Sequence, residues 1–161
     1  MNRVIFFLAT VCLLGCANTT KNTITEDQAI SVLKGFFTAM DIDNLGNDLV
    51  YDYTTKDFVI FEMGAKYDLP SFLDLVKTNF KKGYTSTMWK QYDFKVSIDI
   101  NSAHISYFNK GKFTFIEDGI TKEENIQWLE SVYLKHEEDV LKLSFLQSDD
   151  ISREVIELTS K

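Results

Sequence analysis

The feature that most restricts the fold of this chain is a strict alternation of apolar and polar residues over positions 92–100. Every second residue is apolar, namely Tyr92, Phe94, Val96, Ile98 and Ile100. Because successive side chains of a strand point to opposite faces, this pattern predicts a half-buried strand. Three more strand-like segments follow, at 103–116, 125–135 and 140–148, and short turns join them. Such a run of hairpins indicates an antiparallel sheet.

Helical patterns are concentrated before this run. Thr25-Glu26-Asp27-Gln28 is a capping box, and apolar residues at helical spacing follow it to Met40. A short second helix is predicted around 49–53, and a third begins near Pro70, which is tolerated in a first turn. Two strands are predicted between them, at 58–63 and around 66–67, and a short closing helix at 151–158.

This order of elements predicts an α+β fold. Its expected form is a cone: one curved antiparallel sheet with three N-terminal helices on the concave face. Asn109-Lys110-Gly111 is expected to bend or bulge the strand at 103–116.

The first 16 residues are predicted to be a lipoprotein signal peptide followed by its acceptor cysteine. Arg3 precedes an apolar run that is too short to cross a bilayer, and Leu13-Leu14-Gly15-Cys16 ends it. The last four residues resemble the lipobox of bacterial lipoproteins. That resemblance implies cleavage after residue 15, lipid on Cys16, and a membrane partner reached through this lipid. Ala17 in place of Asp implies the outer membrane of a Gram-negative envelope.

Composition and charge limit the domain organisation and the possible partners of the protein. One domain, residues 24–161, is expected after a tether at 16–23. The formal charge of −7 and the lack of a basic stripe argue against nucleic acid as a partner. The two histidines have no metal-ligand spacing, so we expect no metal, and no motif calls for a cofactor.

The segments 29–43, 58–64 and 128–148 resemble the first helix and acidic turn, the first strand and the final hairpin of a known superfamily. This is the nuclear transport factor 2-like superfamily, in particular its SnoaL-like and DUF4440 branches. The resemblance implies a cystatin-like cone whose open end is a pocket.

Three polar residues interrupt the apolar rows expected to face the helices: Glu62, Glu130 and Gln147. Trp128 shares a face with Glu130, and Tyr107 is also expected to point inward. A carboxyl buried beside Trp128 should have a raised pKa, as a general acid or base requires. Alternatively, Glu130 reaches water at an edge or pairs with Lys or Arg. These five residues are the candidate pocket, and we assign none of them a catalytic role.

The resemblance adds two arguments. A carboxylate near the end of the first strand is the proton-shuttling base of the ketosteroid isomerases in this superfamily, and Glu62 lies close to that place. The oxyanion-holding Tyr of their first helix has no match in Leu33–Phe37. Gln147 stands where the family often has His, and Gln cannot carry a proton near pH 7.

Three functional hypotheses remain open. The first is a non-catalytic domain that binds a small apolar or amphipathic ligand on an aromatic inner face formed by Phe36, Phe37, Tyr53, Phe94 and Trp128. The alternative is that these residues are simply core, which is the more common role of aromatic side chains. The second is a small acid–base enzyme that uses Glu130 or Glu62. The third is an interaction module that forms a homodimer through the convex sheet face. That face should carry Ser97, His104, Ser106, Phe108, Leu129 and Tyr133.

Overall fold

A computed structural model describes residues 23–80 and 83–158. Three helices and six strands are present in these residues. They are α1 (Glu26–Ala39), α2 (Val50–Tyr53), β1 (Thr54–Glu62), β2 (Ala65–Asp68), α3 (Leu69–Phe80), β3 (Tyr84–Ile98), β4 (Ser102–Glu117), β5 (Ile120–Glu137) and β6 (Val140–Glu157). The predicted α+β class is confirmed.

Helix α1 begins where the capping box predicts. The Gln28 backbone N–H donates to Thr25 Oγ1 at 3.2 Å, and the Thr25 N–H donates to Gln28 Oε1 at 2.9 Å. The two bonds satisfy donors that have no partner within the helix itself. The buried side of α1 carries Leu33, Phe36 and Phe37, which pack on the sheet in the main core.

The six strands form one sheet in the order β2-β1-β6-β5-β4-β3. The pairs from β6 through β3 are antiparallel hairpins, as predicted. The sheet is mixed, however, because β1 pairs in parallel with β6, so the expectation of a wholly antiparallel sheet is wrong. Parallel pairing needs a long crossover connection, which α3 and the four intervening strands provide.

The predicted closing helix at 151–158 is also wrong. Strand β6 runs through Glu157 and pairs with β5 as far as Lys122. Two tight turns set the length of these hairpins. Asp118 and Gly119 have φ values of 53° and 78°, and Glu138 and Asp139 have 52° and 64°. Positive φ at both central residues matches the twist of the flanking strands.

Bulges occur at positions that the pattern did not indicate. Strand β4 pairs continuously with β5 from Ser102 to Glu117, so the bulge expected at 109–111 is absent. Strand β6 instead contains two extra residues. Tyr133 pairs with Phe145 but Leu134 pairs with Leu143, and Gln127 pairs with residue 152 but Trp128 with residue 150. Ser144 and Ile151 are the residues left over. Each extra residue reverses which face the following side chains occupy.

A bulge also changes β3. Tyr92 pairs with Phe108, but the next partners are Lys95 and Ser106, and Asp93 has a φ of 57°. Tyr92 therefore stacks on Phe108, with 5.6 Å between ring centroids, while Phe94 contacts Tyr107 on the opposite face. The single row from Tyr92 to Ile100 predicted by strict alternation is thus split at Asp93.

The predicted signal peptide 1–15, the lipidated Cys16 and the tether up to residue 22 lie outside the described residues. The lipid anchor and the envelope location therefore stay predictions. Within residues 23–80 and 83–158, no helix is long and apolar enough to cross a membrane.

The contact between α1 and α2 gives a test of the packing. A Cβ added at Gly35 would lie 2.1 Å from Cε1 of Tyr53, whereas one added at Gly46 would meet nothing within 4 Å. Gly35→Ala should therefore destabilise the fold by about 1–3 kcal/mol through overpacking, and Gly46→Ala should cause no loss. Chemical denaturation measures both. In a Tyr53→Ala background the cost of Gly35→Ala should largely disappear; an undiminished cost would contradict this contact.

Candidate functional site

A cavity of about 320 Å³ lies between the concave face of the sheet and helices α1 and α3. The helices contribute apolar side chains together with Asn79, and the sheet contributes both aromatic and polar ones. The volume is in the range of small-molecule sites. The residues that the sheet contributes include Glu62, Trp89, Glu124, Trp128, Glu130, Ser148 and Arg153.

A row of four polar side chains crosses the sheet beneath this cavity. Tyr107 on β4 pairs with Glu130 on β5, Glu130 pairs with Ser148 on β6, and Ser148 pairs with Glu62 on β1. We call these four residues the polar row. Because directly paired residues on one face have closely spaced side chains, the pairing itself brings the two carboxyl groups to one place.

Glu130 is the central member of the polar row. Its side chain is buried, and Ser148 Oγ donates to Glu130 Oε1 at 3.1 Å. Burial raises the pKa of Glu130 to about 8, and the nearby Glu62 adds to this, while the neighbouring Tyr107, Ser148 and Asn109 lower it. Removal from water is the larger effect, because an ionised carboxylate loses more hydration than these groups replace. At pH 7 Glu130 is therefore mostly protonated.

Several polar atoms around Glu130 have no hydrogen-bond partner among the described residues. They are Glu130 Oε2, the Tyr107 hydroxyl and Asn109 Nδ2, all of them buried. Trp89 Nε1 is also buried without such a partner, but it lies near Asp41. Tyr107 is near enough to affect the pKa of Glu130, but its hydroxyl forms no hydrogen bond of good geometry. Unpartnered buried polar atoms are rare in folded proteins, so they mark a place where a ligand can supply partners.

Glu62 is at the end of β1 and is less deeply buried. Burial raises its pKa to about 6, helped by the charges of Asp149 and Asp150 and opposed by Ser148 and Arg153. At pH 7 Glu62 is therefore mostly ionised while Glu130 is not. Two carboxyl groups on one cavity in different protonation states are an arrangement suited to an acid and a base.

A second polar group lies at the edge of the cavity. The Tyr84 hydroxyl donates to Glu124, and Arg153 Nη1 donates to the same carboxylate at 3.0 Å. Arg153 Nη2 also bonds Asp150 Oδ2 at 3.0 Å. The Arg153 guanidinium is thus held between two acids, and Glu124 is satisfied although it is buried.

The structure brings together most of the predicted pocket residues. Glu62, Glu130 and Trp128 line the cavity. Tyr107 faces inward as expected, but it packs behind Glu130 against Phe37 and does not itself line the cavity. The suggestions that Glu130 reaches water or pairs with a cation are wrong within the described residues.

The inward orientation predicted for Gln147 is wrong. The bulge at Ser144 turns Gln147 to the opposite face, where its amide Nε2 is 3.3 Å from Asp149 Oδ1. The same bulge places Ser148 in the cavity. The argument that Gln147 replaces a proton-carrying His of the pocket therefore does not apply.

Sequence reasoning missed Ser148, Arg153, Glu124 and Trp89. Ser148 faces the cavity only because of the bulge at Ser144, which has no evident marker in the sequence. Arg153 was missed because it lies in the segment that was predicted as a closing helix. Glu124 pairs with Phe113 and lies on the inward face with Ile126 and Trp128, so extending the predicted strand by one residue would have found it. Trp89 belongs to a part of β3 that the alternating pattern did not cover.

The aromatic residues divide between core and cavity. Phe36, Phe37 and Trp128 line the cavity, whereas Tyr53 and Phe94 only pack against the main core. Phe36 and Phe37 also belong to the buried main core, so for these two residues the core and cavity interpretations both hold.

The convex face carries the side chains expected there. Phe108 pairs with Leu129 and His104 with Tyr133, and Leu129 and Tyr133 are 46% and 41% exposed. Homodimer formation through this face stays a prediction. In the described part of the chain, no group of three or more His, Cys, Asp or Glu residues is arranged to hold a metal ion.

No protein-family model matches this chain, and neither does any curated protein. Solved structures do match. The Kfla4162 protein from Kribbella flavida aligns over 80% of this chain and 91% of its own, with 14% identity and a TM-score of 0.68. A nuclear transport factor 2-like protein from Cytophaga hutchinsonii aligns over 80% and 100%, with 12% identity and a TM-score of 0.61.

The chain has the nuclear transport factor 2-like fold. A hexachlorocyclohexane dehydrochlorinase, LinA type 2, has 12% identity over 83% of this chain and 90% of its own, with a TM-score of 0.62. This fold thus occurs in enzymes and in other proteins, and it suits a ligand-binding or an enzymatic role. At such identities the likeness shows the fold alone.

The raised pKa of Glu130 predicts how stability depends on pH. Between the ordinary value of 4.5 and about 8 the unfolded chain binds fewer protons at this residue than the folded protein. The unfolding free energy should therefore fall as pH rises from 5 to 8, by a few kcal/mol at most, with a smaller contribution from Glu62. Urea denaturation at several pH values measures it.

Glu130→Gln should remove most of this slope, since Gln cannot ionise. Glu154→Gln is the matched control, because Glu154 is exposed, follows Arg153 and does not line the cavity. A Glu130→Gln protein with the wild-type slope would show that Glu130 ionises normally.

Proposed function

We propose that this cavity binds a small molecule with an apolar body whose polar end lies against the polar row. The observation that carries the proposal is the buried Oε2 atom of Glu130, which has no hydrogen-bond partner among the described residues yet belongs to a residue that lines the cavity. A buried polar group without a partner costs stability, and a bound ligand would recover that cost.

The walls of the cavity define the body of the ligand. Side chains from α1 and α3, such as Phe36, Phe72 and Val76, are apolar, and Trp89 and Trp128 face them from the sheet. Apolar contact of this kind favours hydrocarbon or aromatic groups, while a few polar atoms set orientation. The volume of about 320 Å³ suits a compact molecule of one or two rings.

Intrinsic fluorescence provides the assay, because the only two tryptophans of the chain are Trp89 and Trp128. The test panel consists of three compounds that share a cyclohexyl ring and differ in their polar group: cyclohexylmethanol, cyclohexylmethylamine and cyclohexanecarboxylate. None of them absorbs at the wavelength that excites tryptophan. At least one member should change the emission with saturation. Failure of all three to bind, by fluorescence and by thermal shift, would contradict the proposal.

Filling the cavity should abolish binding. Val76 lines it from α3, so Val76→Phe should weaken the best member of the panel by about tenfold or more, because the added ring occupies ligand volume. Thr78→Phe is the matched control, since Thr78 is exposed on the same helix and should bind as wild type does. Equal affinities of the two variants would place the ligand outside the cavity.

A second candidate function is proton transfer on the bound molecule. The specific observation is the pair of carboxyl groups, with Glu130 protonated near neutral pH and Glu62 ionised. Glu62 would act as base and Glu130 as acid or hydrogen-bond donor, as an elimination or an isomerisation requires. The dehydrochlorinase with this fold makes an elimination a reasonable reaction to test first.

The rate of such a reaction should follow a bell-shaped pH profile, rising near pH 6 as Glu62 ionises and falling near pH 8 as Glu130 does. Glu62→Gln should lower kcat by about a hundredfold or more, and Glu154→Gln should not. Turnover that is unchanged by Glu62→Gln would exclude this mechanism but would leave the binding proposal intact.

A further inference from the structure

The cavity contains more acids than bases. Glu62, Glu124 and Glu130 line it, and Arg153 is the one cationic residue that does so in the described part of the chain. Arg153 is already engaged, with its two terminal nitrogens 3.0 Å from Glu124 and Asp150. Neither Glu62 nor Glu130 forms an ion pair within residues 23–80 and 83–158.

The two acids without an ion pair are linked through Ser148. Ser148 has a single hydroxyl proton and lies between them, where it donates to Glu130 Oε1 and lowers the pKa of Glu62. Glu130 is only 5% exposed, and its Oε2 accepts no hydrogen bond of good geometry in the described structure. Because this end of the cavity has two acids and no free cation among its described lining, a ligand with positive charge complements it.

The part of the sheet beside these acids is aromatic. Trp89 lies 5.9 Å from Trp128 and 5.3 Å from Phe113, measured between ring centroids, and Tyr84 lies 5.5 Å from Phe113. All four rings line the cavity. The faces of such rings carry negative potential and attract ammonium groups, most strongly where water is excluded.

We propose that the ligand of this cavity is an organic cation, an amine or quaternary ammonium with an apolar body, held between the aromatic walls and the carboxyl groups of Glu62 and Glu130. This inference rests on the proposed binding function and names its ligand class. The polar row gives the charge its counter-ions, and the four rings surround the carbon atoms next to it.

Binding of a cation should be coupled to release of a proton. In the free protein Glu130 is protonated at pH 7, and the groups that face it are Tyr107, Ser148, Glu62 and Asn109. None of these is a cation, and α1 and α3 present no charged side chain to the cavity. A bound cation would favour the ionised form, so the Glu130 proton passes to solvent and the carboxylate pairs with the ligand.

The first experiment uses the wild-type protein. The quaternary probe is (cyclohexylmethyl)trimethylammonium, which carries no exchangeable proton, and it is compared with cyclohexylmethanol and cyclohexanecarboxylate. At pH 7 the cation should bind about tenfold or more tightly than the alcohol, and the carboxylate most weakly. Calorimetry in phosphate and in Tris should show release of a large fraction of one proton per cation bound.

The pH dependence tests the role of Glu130. Affinity for the quaternary cation should rise between pH 6 and 8 and level off above the pKa of Glu130, because only the ionised form attracts it. Glu130→Gln should abolish most of this rise and the proton release. The control variant Glu154→Gln makes the same change of charge on the exposed side of β6, and it should keep both the rise in affinity and the proton release. Thermal melting confirms that each variant is folded.

The outcomes separate the two proposals. If the alcohol binds as tightly as the cation and no proton is released, the ligand class is wrong while the cavity remains a binding site. If the carboxylate binds best, the charge assignment is reversed and the inference also fails. If no probe binds the wild-type protein, both the inference and the proposed function are overturned.

Discussion

One extra residue in β6 determines what the cavity of this protein contains. Ser144 has no partner in the pairing with β5, so every later residue of β6 faces the side opposite to the one that simple alternation assigns until the next bulge at Ile151. Ser148 thereby completes a row with Tyr107, Glu130 and Glu62. The second bulge brings Arg153 to the same face. Without either bulge, alternation from Leu143 would place Gln147 in the cavity, and the bridging hydroxyl of Ser148 would be absent.

The polar row works against stability, and that cost is informative. A well-packed apolar residue at position 130 would avoid the desolvation that raises the pKa of Glu130. By remaining protonated near neutral pH, Glu130 avoids the greater cost of a buried unpaired charge, but its Oε2 atom still lacks a partner in the described structure. Local features that oppose folding are characteristic of functional sites. The surrounding core, with Val132, Leu134 and Leu143 fully buried, supplies the stability that offsets them.

The sequence predicted the elements whose signals are local. The capping box at Thr25, the three helices and the hairpin strands follow from patterns within a few residues, and the structure contains them. The side-chain orientation along β4 and β5 was also predictable, because these two strands pair without interruption. Strict alternation therefore places Tyr107 and Glu130 on the inward face, where the structure has them. The parallel pairing of β1 with β6 could not be predicted in this way, and neither could the bulges of β3 and β6. These features depend on which strands pair, and residues far apart in the sequence decide that. The error at Gln147 and the omission of Ser148 share this one cause.

The charge of the cavity follows from the same geometry. Arg153 reaches the cavity from β6 but is bound by Glu124 and Asp150, so it neutralises acids at the edge and not those of the polar row. Glu62 and Glu130 are left without a counter-ion. Burial raises the pKa of Glu62 to about 6 and that of the more deeply buried Glu130 to about 8, where the charge of Glu62 adds to the effect. A neutral occupant would leave that separation in place, as acid–base chemistry requires. A cationic occupant would collapse it by favouring both ionised forms. The protonation state of Glu130 in the bound complex therefore distinguishes a catalytic cavity from a cation-binding one.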